Sequence, residues 1–135
     1  MTIVLDTGVV VAVMDRDDAN HAAAARWLET LDDDLVTTPL AVAEMDHFAG
    51  AVGARDAFRG DLERGAYVVR WWADALTESL RMVRARPELG MTDASLVALA
   101  GRMNTNRIAT FDHRHFRPLT DTAGAPFVLL PGDTT

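Results

Sequence analysis

Apolar positions along the chain fall into short runs and helical stripes. Ile3-Val4-Leu5 is apolar on successive residues and stops at Asp6. A run apolar on both faces predicts a central strand of a parallel sheet. Gly8 to Met14 is apolar and predicts a helix, followed by a polar break from Asp15 to Asn20. Between His21 and Leu31 the apolar residues Ala24, Trp27, Leu28 and Leu31 recur at helical spacing, until Asp32-Asp33-Asp34 ends the stretch. Leu35-Val36-Thr37 predicts a second strand. Thr38-Pro39 is a helix start, with threonine as cap and proline in the first turn. That helix should pass Phe48 and reach about Val52, its core stripe including Leu40, Ala41, Met45 and Phe48. Gly53 interrupts, and a further helix from Ala54 to Glu63 stops at Gly65.

The second half continues the alternation. Ala66 to Trp71 predicts a third strand, and Asp74 to Arg84 a helix with Leu76, Leu80 and Val83 on one face. Pro87 and Gly90 mark a loop. Thr92-Asp93 opens a helix running to about Met103. Arg107 to Thr110 and Phe127 to Leu130 predict the last two strands, and Pro131 to Thr135 a frayed tail. Strands alternating with helices imply an α/β three-layer sandwich: a central parallel sheet of about five strands with helices on both faces. No repeat, linker or low-complexity segment divides it, so residues 1–135 read as one domain. In such sheets ligands bind beyond the C-terminal ends of the strands, which is where chemistry is to be sought.

Composition narrows the classes. The 135 residues are 49% hydrophobic, enough for an ordinary core. Cysteine is absent, which removes disulfides, thiolate metal sites and cysteine nucleophiles. All 13 basic residues are arginine. Without lysine, phosphate-loop NTPases and Schiff-base enzymes are excluded. The N-terminus has no basic region ahead of an apolar one, and no apolar run is long enough to span a bilayer, so a soluble cytoplasmic protein is expected. The formal charge of −7 argues against a passive nucleic-acid binder, because phosphate contacts need positive charge. Divalent cations masking several acids would cancel that excess locally.

Four carboxylates stand out by position. Asp6 closes the first strand, Asp112 follows the fourth, Asp93 lies in a first helical turn, and Glu44 borders the buried stripe of its helix rather than facing water. Each also has an ordinary reading: Asp6 as a helix cap, Asp93 as a complement to the helix dipole, Asp112 as a turn residue, Glu44 as a solvated side chain. Asp46, two positions from Glu44, points elsewhere and is left out. Asp6 and Asp112 should emerge at the same sheet edge. For Asp93 the sequence leaves either edge open. If the four converge, repulsion dominates: two unit charges 4 Å apart cost roughly 4 kcal/mol at an effective dielectric near 20. Such a cluster needs cations, and all-oxygen ligands suit Mg²⁺ or Mn²⁺. That geometry fits phosphodiester cleavage by water activated on a metal.

The same residues carry a family resemblance. Val4-Leu5-Asp6-Thr7, Ala43-Glu44, Met91-Thr92-Asp93-Ala94 and Ala109-Thr110-Phe111-Asp112, followed by His115-Phe116, resemble the PIN-domain ribonucleases of the VapC toxin type, in the family's order over nearly the whole chain. The resemblance implies that Asp6, Glu44, Asp93 and Asp112 form an acidic metal site with Thr7 and Thr110 as polar neighbours. It implies that Asp93 reaches that site. It further implies Mg²⁺ (or Mn²⁺), an RNA substrate, a homodimer packed partly through Ala54 to Glu63, and a cognate antitoxin whose basic C-terminal segment fills the acidic groove. One departure is His115, where many relatives carry an acid; it is a possible supporting residue for metal or phosphate, with a structural role as the alternative.

Other residues have weaker signals. His47 lies one turn after Glu44 and could touch the site, with a structural role as the default; His21 and His113 are expected to be structural or solvated. Arg16, Arg114 and Arg117 are loop candidates for an RNA backbone, with a solvated surface role as the default. Trp71 and Trp72 could stack on a base, but beside a strand they read as core. Two other functions compete: a module that captures a basic peptide, with catalysis weakened at His115, and a phosphohydrolase of another class. The latter is disfavoured because Gly8 stands where aspartyl-phosphate phosphatases need a second aspartate. No glycine-rich phosphate loop follows the first strand, so no nucleotide cofactor is expected.

Overall fold

The computed structural model describes residues 1–133. The chain runs β1 (Thr2–Leu5), α1 (Thr7–Met14), α2 (His21–Glu29), β2 (Asp34–Thr37), α3 (Pro39–Ala51), α4 (Arg55–Glu63), β3 (Val68–Val69), α5 (Ala75–Ala85), α6 (Met91–Arg102), β4 (Arg107–Ala109), α7 (His113–Phe116) and β5 (Val128–Leu130). All strand pairs are parallel, in the order β3-β2-β1-β4-β5. β1 sits centrally, with Val4 opposite both Val36 and Ile108. Ile3, Val4 and Leu5 are fully buried. Successive strand residues point to opposite faces, so both faces of β1 are covered by helices. This is the expected α/β sandwich. No helix among the described residues is long and apolar enough to cross a membrane.

Helix ends follow the local chemistry. Thr38 caps α3, its Oγ1 accepting from the Ala41 N–H, with proline in the first turn. At the other end Ala54 N–H reaches Ala49 O (2.8 Å) and Gly53 N–H reaches Gly50 O (3.4 Å), the paired bonds of a Schellman cap. Gly53 takes φ +72° there, and a Cβ built on it would meet nothing within 4 Å. Gly53→Ala therefore meets no neighbour but puts a Cβ in the left-handed region against its own backbone, an expected cost of about 1–2 kcal/mol measurable by urea unfolding. The same cap closes α4 at Gly65 and α6 at Asn104, whose φ is +53°.

Several expectations need correction. The buried stripe of α3 is Ala41, Met45 and Ala49; Phe48 is 45% exposed and Leu40 only partly covered. Small alanines let α1 pack closely on this helix, leaving the larger Phe48 outside. On α5 the core face is Ala75 and Ser79, whereas Leu76 and Leu80 are 51% and 42% exposed. Their helical spacing is real but faces outward. β3 pairs over only Val68–Val69, and Trp71 is exposed rather than core. Trp72 is half-buried beneath the Arg102 guanidinium, 5.5 Å from its ring centroid. α2 stops two residues before Leu31. The short α7 has no counterpart among the predicted elements. Asp133, in the expected tail, binds Arg117 and accepts from the Leu129 N–H; Thr134 and Thr135 lie outside the described residues.

Candidate metal site at the carboxyl edge of the sheet

Asp6 stands one residue past β1. Its N–H still bonds Ala109 O (3.0 Å), so the parallel ladder fixes its backbone. Its side chain caps α1, with Oδ1 accepting from the Thr7 N–H at 2.8 Å. Oδ2 accepts from Thr110 Oγ1 at 2.7 Å. Thr110 also accepts from the Asp112 N–H at 2.9 Å, so one buried hydroxyl sets the spacing between the acids that follow β1 and β4. Asp6 is only 7% exposed. Burial pushes its carboxyl above the ordinary value, the bonds from Thr110 and Thr7 oppose that, and the charges of Asp112 and Glu44 add to it.

Glu44 comes from α3. Its Oε1 accepts from Thr7 Oγ1 (2.9 Å) and its Oε2 from Thr92 Oγ1 (2.7 Å). The residue as a whole is exposed, contrary to the expectation that it borders the core, but two hydroxyls aim its carboxylate inward. A further contact, Thr38 Oγ1 to Ser95 Oγ at 2.8 Å, ties the start of α3 to α6. Asp93, in the first turn of α6, comes to the same edge. Its carboxyl rises to about 6, first through burial, then through the charges of Asp6 and Asp112, with His115 opposing and Glu44 adding. Asp112 caps α7, its Oδ1 accepting from the His115 N–H at 3.2 Å. His115 Nδ1 lies 2.7 Å from Asp112 Oδ2 and 3.8 Å from Asp93 Oδ2. That contact with Asp112 holds the imidazole above its ordinary pKa.

Four acids from four elements thus share one edge, and their charges add to the upward shifts of Asp6 and Asp93. Asp93, Asp112 and His115 each offer a ligand atom within 4.8 Å of the others. A buried carboxylate with two fixed donors, beside three more acids and an imidazole, is a donor set that fits a divalent cation. A cavity of about 590 Å³ lies elsewhere, between α5, α6 and the segment before β5. Its walls include Met82, Val97 and Phe127 and hold no acid of the cluster.

A sequence model of the PIN domain matches residues 3–119. The chain belongs to the PIN-domain family. It is of the VapC type: it is 31% identical to ribonuclease VapC26 of Mycobacterium tuberculosis over 96% of this chain and all of that protein. It is 30% identical to ribonuclease VapC29 of the same organism, over 99% of this chain and all of that one. The fold is also that of a solved structure, M. tuberculosis VapC20, described as a toxin cleaving the sarcin–ricin loop. The TM-score is 0.74 at 21% identity, covering 82% of this chain and 89% of that one.

In this PIN domain Asp6, Glu44, Asp93 and Asp112 lie at one place, with Thr7 and Thr110 bonded to them. The sequence does not single out Thr92 as a partner of Glu44. A signal exists, a hydroxyl beside Asp93 in a first helical turn, but the sequence does not say which acid it meets. Asp46 lies apart, held by Arg59 (2.8 and 2.9 Å) and Arg55. His47 is exposed against Phe48, and His21 Nδ1 binds Ala12 O, so neither joins the cluster. Arg117 is engaged with Asp133, while Arg16 and Arg114 are exposed.

Proposed function

We propose that this PIN-domain enzyme is a Mg²⁺-dependent endoribonuclease toxin that hydrolyses cellular RNA. The observation that carries the reading is the convergence of Asp6, Glu44, Asp93 and Asp112 at one sheet edge, with Asp93 held near pKa 6. Asp6, Asp93, Glu44 and Asp112 would hold the cation, with Mn²⁺ as a substitute. When bound, the cation supplies Lewis acidity that lowers the pKa of water and offsets charge on the phosphate.

The remaining work falls to the protein. Asp6, fixed by Thr110 and the Thr7 N–H, holds its charge at a constant place with no reorganisation. Thr7 and Thr92 orient Glu44 from opposite sides. Thr110→Val removes one donor from Asp6 and one acceptor from Asp112. The expected result is cleavage lowered by about 10–100-fold, as for other outer partners of metal ligands. The orphaned Asp112 N–H should also cost about 1–3 kcal/mol of stability in urea.

The relatives' names support RNA as substrate. The toxin reading extends to a cytoplasmic protein, active as a homodimer, restrained by a cognate antitoxin whose basic C-terminal segment enters the acidic groove. The test is incubation of the purified, partner-free protein with total cellular RNA and Mg²⁺, with EDTA as control. Discrete fragments that vanish in EDTA are expected. Intact RNA in both lanes, from a folded protein, would overturn the reading. A second reading, a module that captures a basic peptide, is favoured by His115 standing where an acid would add a ligand. It predicts peptide binding without RNA cleavage.

A further inference from the structure

His115 adds no negative charge to the cluster, yet its ring lies inside it. We propose that His115 Nδ1 is a direct nitrogen ligand of the divalent cation, and that it shifts the site's preference from Mg²⁺ toward Mn²⁺. This rests on the reading of the acidic edge as a metal site.

The geometry is specific. Asp112 caps α7, and its Oδ1 is taken by the His115 N–H at 3.2 Å. That bond fixes the two residues relative to each other and leaves Oδ2 facing the ring. Nδ1 is 2.7 Å from Asp112 Oδ2 and 3.8 Å from Asp93 Oδ2. Around an octahedral cation with bonds near 2.1 Å, adjacent ligands stand about 3.0 Å apart and opposite ones about 4.2 Å. The two separations from the ring nitrogen lie near that range, so a cation bound to either carboxylate comes within reach of Nδ1 after small shifts. The three residues are the group whose ligand atoms all lie within 4.8 Å. An imidazole nitrogen changes the chemistry of the set. Mg²⁺ demands oxygen ligands, whereas affinity for nitrogen-containing sites rises through the first-row transition metals.

The experiment uses the full chain with Mn²⁺ and Mg²⁺ alone as probes, and the variants His115→Asp and His115→Ala. Electron spin-echo spectroscopy of bound Mn²⁺ should show ¹⁴N coupling in the parent and none in either variant. By calorimetry the Mn²⁺-over-Mg²⁺ affinity ratio should fall about tenfold in His115→Asp, which restores an all-oxygen set. Bound Mn²⁺ without ¹⁴N coupling, or coupling that survives in His115→Ala, overturns the proposal and leaves the nuclease reading standing. The proposal is equally overturned if His115→Asp binds the cation and the parent does not, since the imidazole then excludes metal. If neither the parent nor His115→Asp binds at millimolar levels, with both folded by circular dichroism, the metal-site reading falls as well.

Discussion

Asp6→Asn is expected to lower RNA cleavage by about 10³-fold, the equivalent of about 4 kcal/mol of transition-state stabilisation. The residue sits at the centre of the cluster, bonded by the Thr7 N–H and Thr110. Asparagine keeps the shape, and its oxygen still accepts from the Thr7 N–H, so α1 retains its cap. What is lost is the charge and the acceptor for the Thr110 hydroxyl, since the amide nitrogen there can only donate. Burial already disfavours that charge in the absence of a cation. The variant should therefore unfold at a temperature equal to or above the parent's in metal-free buffer at neutral pH. Loss of activity together with retained or raised stability marks a residue kept for chemistry. Cleavage within a few-fold of the parent by a folded Asp6→Asn would remove Asp6 from the site.

The second large effect is the dependence of stability on pH and cation together. Asp93 binds its proton more tightly in the fold, near pH 6, than the ordinary value of 3.8 allows. A carboxyl of that kind favours the folded state below about pH 4 and withdraws its support as pH rises through about 6. Asp6 is shifted in the same direction. His115, raised by Asp112, supports the fold below its ordinary value and withdraws that support as pH rises through its folded one, so it adds to the trend. Metal-free protein should lose stability from pH 5 to pH 7.5 relative to Asp93→Asn, which has no charge to accommodate. Mg²⁺ should reverse this, because a cation favours the ionised site. At tenfold above its Kd the cation contributes about 1.4 kcal/mol, or about 5 °C in Tm for a chain of this size. The rise should be present at pH 7.5, small at pH 5, and absent in Asp93→Asn. A shift of equal size at both pH values would separate cation binding from these carboxyls.

The fold and the acids differ in how far they can be read along the chain. β1 is plain because three successive fully buried residues leave no other pattern. The start of α3 is plain because Thr38-Pro39 writes both the cap and the first turn. Asp6 and Asp112 can be placed at one edge because a parallel sheet puts all strand ends of one kind together. Asp93 cannot, since a helix leading into a strand is fixed by how α5 and α6 pack. Family resemblance supplies that placement. The departures from expectation share one cause. Leu76, Leu80 and Phe48 have helical spacing, but which side of a helix faces the core is decided by neighbours far away in sequence. α7 escapes notice because four residues carry no periodicity, and its cap, Asp112, reads equally well as a member of the acidic set. The contact of His115 with Asp112 follows directly from that short turn.

The most direct test of the central claim is the end chemistry of the cut RNA. Fragments made by the partner-free protein in Mg²⁺ would be mapped for their termini, beside Asp6→Asn and EDTA controls. Hydrolysis by water at a carboxylate-bound cation predicts 5′-phosphate and 3′-hydroxyl ends that disappear in both controls. Fragments ending in 2′,3′-cyclic phosphate, or cleavage that persists in EDTA, would contradict it.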